Sequence, residues 1–199
     1  TQRIKHNKQY PLKHIKLIIE NHPSFQITNS LQVLNYADRM IVSGAPNELQ
    51  TFVHETLGVS VTSESVYLGY LMSVFIAGFC IANLIFGHAA KTKPPFRLVA
   101  IGTFVWIIAI FLSGLSKSFE SFYLLLFARA LSGVGEAAIQ TVVPAFIDSQ
   151  TSSKRRSSAL AIFYLGFPVG GALGFLWGSY AASSIGWVCS FSDSLFFLL

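Results

Sequence analysis

Four stretches of the chain stay apolar long enough to cross a bilayer: residues 66–90 (VYLGYLMSVFIAGFCIANLIFGHAA), 98–115 (LVAIGTFVWIIAIFLSGL), 122–147 (FYLLLFARALSGVGEAAIQTVVPAFI) and 159–182 (ALAIFYLGFPVGGALGFLWGSYAA). A helix rises ~1.5 Å per residue, so roughly 20 apolar residues cover a hydrocarbon core of ~30 Å. The pattern therefore predicts a transmembrane helix over each stretch, the third carrying its charges within otherwise suitable material. A fifth stretch, residues 25–45 (FQITNSLQVLNYADRMIVSGA), is too polar for hydropathy to choose between a span and an interfacial or soluble amphipathic segment. The closing FSDSLFFLL is apolar but too short to cross.

Charge placement decides what hydropathy leaves open. Cytoplasmic loops hold an excess of Lys and Arg. If residues 25–45 cross, then Arg3, Lys5, Lys8, Lys13, Lys16, Lys91, Lys93, Arg97, Lys154, Arg155 and Arg156 all fall on one side, and the opposite side holds only Lys117. Without that crossing the basic N-terminal segment would face away from both basic loops. The expectation is an all-α, multi-pass membrane protein with about five spans and a cytosolic N-terminus. Its parts are a basic cytosolic segment over 1–24, a bundle over 25–187 and a divergent tail over 188–199. Plasma and endolysosomal membranes fit the bias equally.

Composition agrees. Of 199 residues 52% are hydrophobic and 12% charged, against roughly 25% charged in a soluble domain. The net charge of +5 brackets the apolar runs, which suits a membrane surface better than a nucleic-acid interface. Cys80 and Cys189 form neither a disulfide framework nor a metal-ligand spacing. The first residues, TQRIKHNKQYPLKHIK, contain no apolar h-region of a signal peptide.

Ionisable side chains at membrane depth cost about 2.5–3.5 kcal/mol each on insertion scales, so they face a polar cavity or a partner. Arg129 and Glu136 are seven residues apart, two turns along one helix face. Gly133 lies between them and Gly135 beside it, leaving room for a solute or a neighbouring helix. Two readings stand: a buried Arg–Glu pair that fixes packing, or a cavity-lining pair in which Arg129 holds an anion and Glu136 exchanges a proton. Asp38 and Arg39 form a second cluster. Neighbouring residues project about 100° apart on a helix, so these two are expected to serve different roles, or to snorkel at an interface. Gly166, Gly170, Gly174 and Gly178 recur every fourth residue and build a flat ridge for close helix packing, with Pro168 expected to bend that helix. Glu48, Glu55 and Glu64 read as residues of a solvated loop between the first two spans.

Other signals fail. Gly133-x-Gly135 has no following Lys or strand context of a phosphate loop, His54-Glu55 lacks a second His for zinc, and no Gly-x-Ser-x-Gly occurs. No metal, cofactor or enzymatic reaction is expected.

The singled-out segments resemble a known family. LNYADR at Leu34 to Arg39, RALSGVGEAA at Arg129 to Ala138 and FYLGFPVGGALGFLWGS at Phe163 to Ser179 are similar, in order and spacing, to the first, fourth and fifth helices of Spinster-type transporters of the major facilitator superfamily. The resemblance runs from about Leu34 to Trp187. It implies one half of a twelve-helix fold of two six-helix bundles that works by alternating access. The substrates it implies are lysophospholipids or sphingoid-type lipids, moved with proton coupling. By the same resemblance Asp38 and Glu136 occupy the protonated acidic positions, and Arg39 and Arg129 those of their basic partners. A C-terminal six-helix bundle is the expected partner. Two departures stand out: the superfamily's Gly-x-x-x-Asp-Arg loop here has Lys91 and Thr92 in place of Asp and Arg, and the sequence diverges after Trp187. The alternatives are a facilitator carrier for a sugar or organic anion, and a non-transporting membrane assembly or regulatory protein.

Overall fold

In a computed structural model, residues 23–151 and 153–184 are described. The predicted basic segment 1–24 falls almost wholly outside them, and the divergent tail 188–199 with Cys189 does so entirely. The described residues form α1 (Pro23–Gly44), α2 (Pro46–Leu57), α3 (Val61–Ala89), α4 (Pro95–Ser118), α5 (Phe122–Gln150) and α6 (Ser153–Ser184), with no strand among them. Helices α3 to α6 are each long and apolar enough to cross a membrane. Helix α1, at 22 residues, is ~33 Å long by its rise per residue.

The helices overrun the predicted spans at most ends, for local reasons. Pro95 opens α4 at a position where a missing N–H costs nothing. Ser121 caps α5 by accepting a hydrogen bond from the Leu124 N–H at 3.3 Å. Pro168 lies inside an unbroken α6.

One expectation is corrected. The acidic stretch taken as a loop folds as α2. Pro46 starts it, Leu49, Phe52 and Val53 bury one face at helical spacing, and Gly58 ends it in the left-handed conformation, φ 63°. Glu64 belongs to the first turn of α3 and is buried, its carboxylate 3.1 Å from Nδ1 of His54.

Two apolar clusters mark the two ends of the bundle. One joins Phe25, Leu98, Ile147 and Ala159 with Phe86 and Ala89. The other joins Val42, Ala45, Leu71, Ile110 and Leu125 with α2 and Ala182. Each long helix contributes one terminus to each cluster, so the five alternate in direction and α1 runs the height of the bundle beside the other four. The first cluster sits at the end carrying Lys91, Lys93, Arg97, Arg155 and Arg156. Helix α5 packs along α3 and α4, and α1 packs along α6.

Candidate functional site

The polar residues of α1 sort onto one face. Thr28, Gln32, Asn35 and Arg39 are spaced by four, three and four residues, the repeat of a single helix stripe. Val33, Ala37 and Ile41 recur every four residues on another face, and it is this second face that meets the glycine ridge of α6. A Cβ at Gly170 would run into the backbone of Val33, one at Gly174 into Ala37, and one at Gly178 would lie 3.0 Å from the Ile41 carbonyl. Gly166 adjoins Gln32 and Val33. The ridge thus allows near backbone contact, and Gln32, Asn35 and Asp38 are buried in the bundle.

The structure brings all four ionisable candidates together, with partners the sequence did not assign. Arg39 Nη2 lies 2.9 Å from Glu136 Oε2, and Arg129 Nη1 lies 3.7 Å from Asp38 Oδ2. Arg129 and Glu136 share a face of α5 but are two turns apart, about 10.5 Å along the axis, too far to pair directly. Each meets the opposite charge on α1 instead. Asp38 and Arg39 therefore both bond to α5, at different levels.

The two pairs differ in tightness. Asp38 is 1% exposed, and three donors approach its Oδ2 at long range: Arg129, the Trp106 indole N–H at 3.5 Å and the Ser132 hydroxyl at 3.4 Å. Its other oxygen has no protein partner. Arg39 and Glu136 make one short charge-assisted bond. Arg39 is the more accessible cation, its side chain 19% exposed. Its guanidinium carbon stands 4.7 Å from the ring centres of Tyr36 and Phe75 and 5.2 Å from Phe79, an aromatic cradle that favours a cation.

Sequence reasoning missed Tyr36, Phe75, Phe79, Trp106 and Ser132. Ser132 was legible, since it lies three residues from Arg129 and four from Glu136 on the same stripe. Tyr36 was legible in the same way, three residues from Arg39 on α1, whereas Phe75, Phe79 and Trp106 needed the packing of α3 and α4. At Gly133 and Gly135 the space is taken by neighbouring helices: a Cβ at Gly133 would strike the Phe75 carbonyl, and one at Gly135 would lie 2.6 Å from the Trp106 backbone nitrogen. Beside the charged layer, an apolar groove of about 550 Å³ lies between α1 and α6, lined by Val33, Leu34, Ala37, Leu173, Leu176 and Trp177 among others.

The chain is also similar to known proteins. The chain is 36% identical over 123 residues to "Probable sphingolipid transporter spinster homolog 2" of Arabidopsis thaliana, covering 62% of this chain and 25% of that protein. It is 32% identical over 154 residues to "Sphingosine-1-phosphate transporter SPNS2" of Mus musculus, covering 77% of this chain and 26% of that one. Against "Protein spinster homolog 1" of Rattus norvegicus it is 33% identical over 152 residues, 75% of this chain and 26% of the relative. The chain thus spans about a quarter to a third of the curated relatives it matches. Residues 29–199 match the family described as Major Facilitator Superfamily. With its all-helical bundle and membrane-length helices, this multi-pass membrane chain, which is similar to spinster proteins, belongs to the Major Facilitator Superfamily.

Proposed function

We propose that this chain supplies the N-terminal bundle of a proton-linked transporter that moves a lysophospholipid or sphingoid-type lipid by alternating access. The observation that carries the reading is the pair of salt bridges, Asp38–Arg129 and Arg39–Glu136, joining α1 to α5 inside the bundle. A proton taken up by Glu136 removes the charge that Arg39 faces. The planar fork of Arg39, held against aromatic faces, is then free to hold an anionic headgroup such as a phosphate. Loss of the proton restores the pair and releases the headgroup. Asp38 and Arg129 repeat the same logic one level away. The apolar groove beside α1 supports an amphipathic substrate, as do the names of two of the relatives. In this reading α1 crosses the membrane, the end bearing Arg97 and Arg155 is cytosolic, and the small-residue seam of Gly166, Gly170, Gly174 and Gly178 with Pro168 is where α6 shifts against α1. The protein acts as a carrier rather than an enzyme.

The test is Glu136→Gln in the complete protein, reconstituted in liposomes. Uptake of lysolipid or sphingoid base driven by a pH gradient is expected to be abolished while the protein still reaches the membrane. Unchanged uptake overturns the proton role, and displacement of lipid by a sugar or small organic anion would point to a different carrier.

A further inference from the structure

Four side chains from three helices lie just to the basic-end side of the two ion pairs, and each leaves buried polar atoms without an aligned hydrogen bond. On α1 these are Asn35 and Gln32, three and six residues from Asp38, both fully buried, with the amide oxygen and nitrogen of each unmatched. On α4 it is the Thr103 hydroxyl, one turn from Trp106. On α5 it is the Gln140 amide nitrogen, one turn from Glu136; it makes no aligned hydrogen bond, although the Gln140 side chain lies within interacting distance of the Tyr36 hydroxyl. Each of these helices alternates in direction, so a step toward lower numbers on α1 and α4 and toward higher numbers on α5 leads the same way. Asp38 and Glu136, which border this region, each carry one unmatched oxygen as well.

The opposite side of the ion pairs is different. There Ile41, Val42, Ile110 and Leu125 form part of a continuous apolar cluster. A buried polar atom left unmatched costs about 1–3 kcal/mol, and buried water bound to two to four such atoms relieves it. An amide offers both a donor and an acceptor, so Gln32 and Asn35 can hold water from two sides. We infer that these four side chains hold a file of ordered water inside the bundle, leading from the carboxylates of Asp38 and Glu136 toward the basic end. The inference rests on the proposed proton exchange for its purpose, though not for its evidence.

The file carries a proton without consuming anything. Glu136 gives its proton to the first water, each water passes one of its own protons onward, and the last releases one at the basic end. Glu136 is left as a carboxylate facing Arg39. The charged groups facing the file are Asp38 and Arg39 of α1 and Arg129 and Glu136 of α5. Helix α4 has no charged residue between Arg97 and Lys117, and α6 none after Arg156. Beyond the file, Phe25, Val99, Val143 and Phe163 close the bundle with an apolar collar. A narrow apolar layer of this kind gates by wetting and drying.

Water itself is the probe. In the intact protein with Cys80→Ser and Cys189→Ser, a thiol is placed at Asn35→Cys, or at Val42→Cys, a buried position about two turns away beyond the ion pairs. Exchange of S–H for S–D in heavy water is followed by infrared absorption. The thiol at 35 is expected to exchange about tenfold or more faster than the one at 42. Equal rates, or a slower rate at 35, overturn the water file whatever the transport chemistry proves to be.

A second pair of variants guards against a packing effect. Asn35→Leu, which displaces water, is expected to slow pH-driven uptake about tenfold, and Asn35→Ser, which leaves room for an extra water, to restore it. A packing residue would behave the opposite way, tolerating Leu and suffering from Ser, and that result overturns the inference. If Glu136→Gln leaves uptake intact while the thiol at 35 exchanges fast, the proposed proton role fails and the file stands.

Discussion

Helices α1 and α3 invert the usual relation between polarity and burial. Helix α1 carries Gln, Asn, Asp and Arg along its length, and Gln32, Asn35 and Asp38 are among the most buried residues of the molecule. Helix α3 has no charged residue between Glu64 and His88, and Tyr70, Ile76, Ile81 and Leu84 stand more than half exposed. In water this would be an unstable arrangement. In a bilayer it is the expected one, because lipid solvates the apolar face of α3, while the polar stripe of α1 must be enclosed by protein. Hydropathy along such a chain reports what each helix faces, and a low value marks a helix whose polar stripe is enclosed by its neighbours.

Removing a partner from the enclosed side should have the largest effect. Arg129→Leu leaves the carboxylate of Asp38 buried and facing only the Trp106 and Ser132 donors. Breaking a buried pair in this way costs on the order of 3–5 kcal/mol. The expected outcome is a sharp fall in the amount of monodisperse protein recovered in detergent, with Asp38→Asn in the same chain recovering most of it. Failure of the second substitution to rescue would mean that Arg129 matters through packing rather than through its charge.

The comparison also explains how much was legible beforehand. The four apolar helices were visible because α3, α4 and α6 leave much of their apolar surface outward, while α5, mostly buried, is enclosed chiefly by apolar neighbours. The crossing proposed for α1 rested only on the loop charges, since the side chains that enclose this helix are distant in sequence. All four ionisable candidates could be named, Arg129 and Glu136 because a charge inside an apolar run stands out, Asp38 and Arg39 once the loop charges had placed their segment among the spans. Their pairing could not, because it depends on the relative height of α1 and α5, which the contacts between helices set. Helix α2 was missed for a related reason: Leu49, Phe52 and Val53 form a short apolar stripe that becomes stable only against Leu71 and Phe122.

The glycine seam comes next in size. At Gly174 an added methyl would meet the Ala37 backbone, which cannot move aside as a flexible side chain could. Gly174→Ala should therefore force α1 and α6 apart, an overpacking effect of about 1–3 kcal/mol. Thermal unfolding followed by size-exclusion chromatography measures it, as a lower midpoint for the variant. An unchanged midpoint would mean that the seam has slack and that α6 does not hold α1 in place.

The same substitution on α3 should have the smallest effect and the opposite sign. Gly69 is exposed near the middle of the first half of α3, and a Cβ built there meets nothing within 4 Å. The methyl would extend into lipid, so there is no overlap to relieve. What remains is the backbone term: glycine inside a helix is less favourable than alanine by roughly 0.5–1 kcal/mol, through the freedom it loses on folding. Gly69→Ala is thus expected to leave the midpoint unchanged or raise it slightly in the assay that registers a loss for Gly174→Ala. A loss at Gly69 as large as at Gly174 would show another protein surface against this face of α3, and the contrast between an enclosed and a lipid-facing helix would no longer hold.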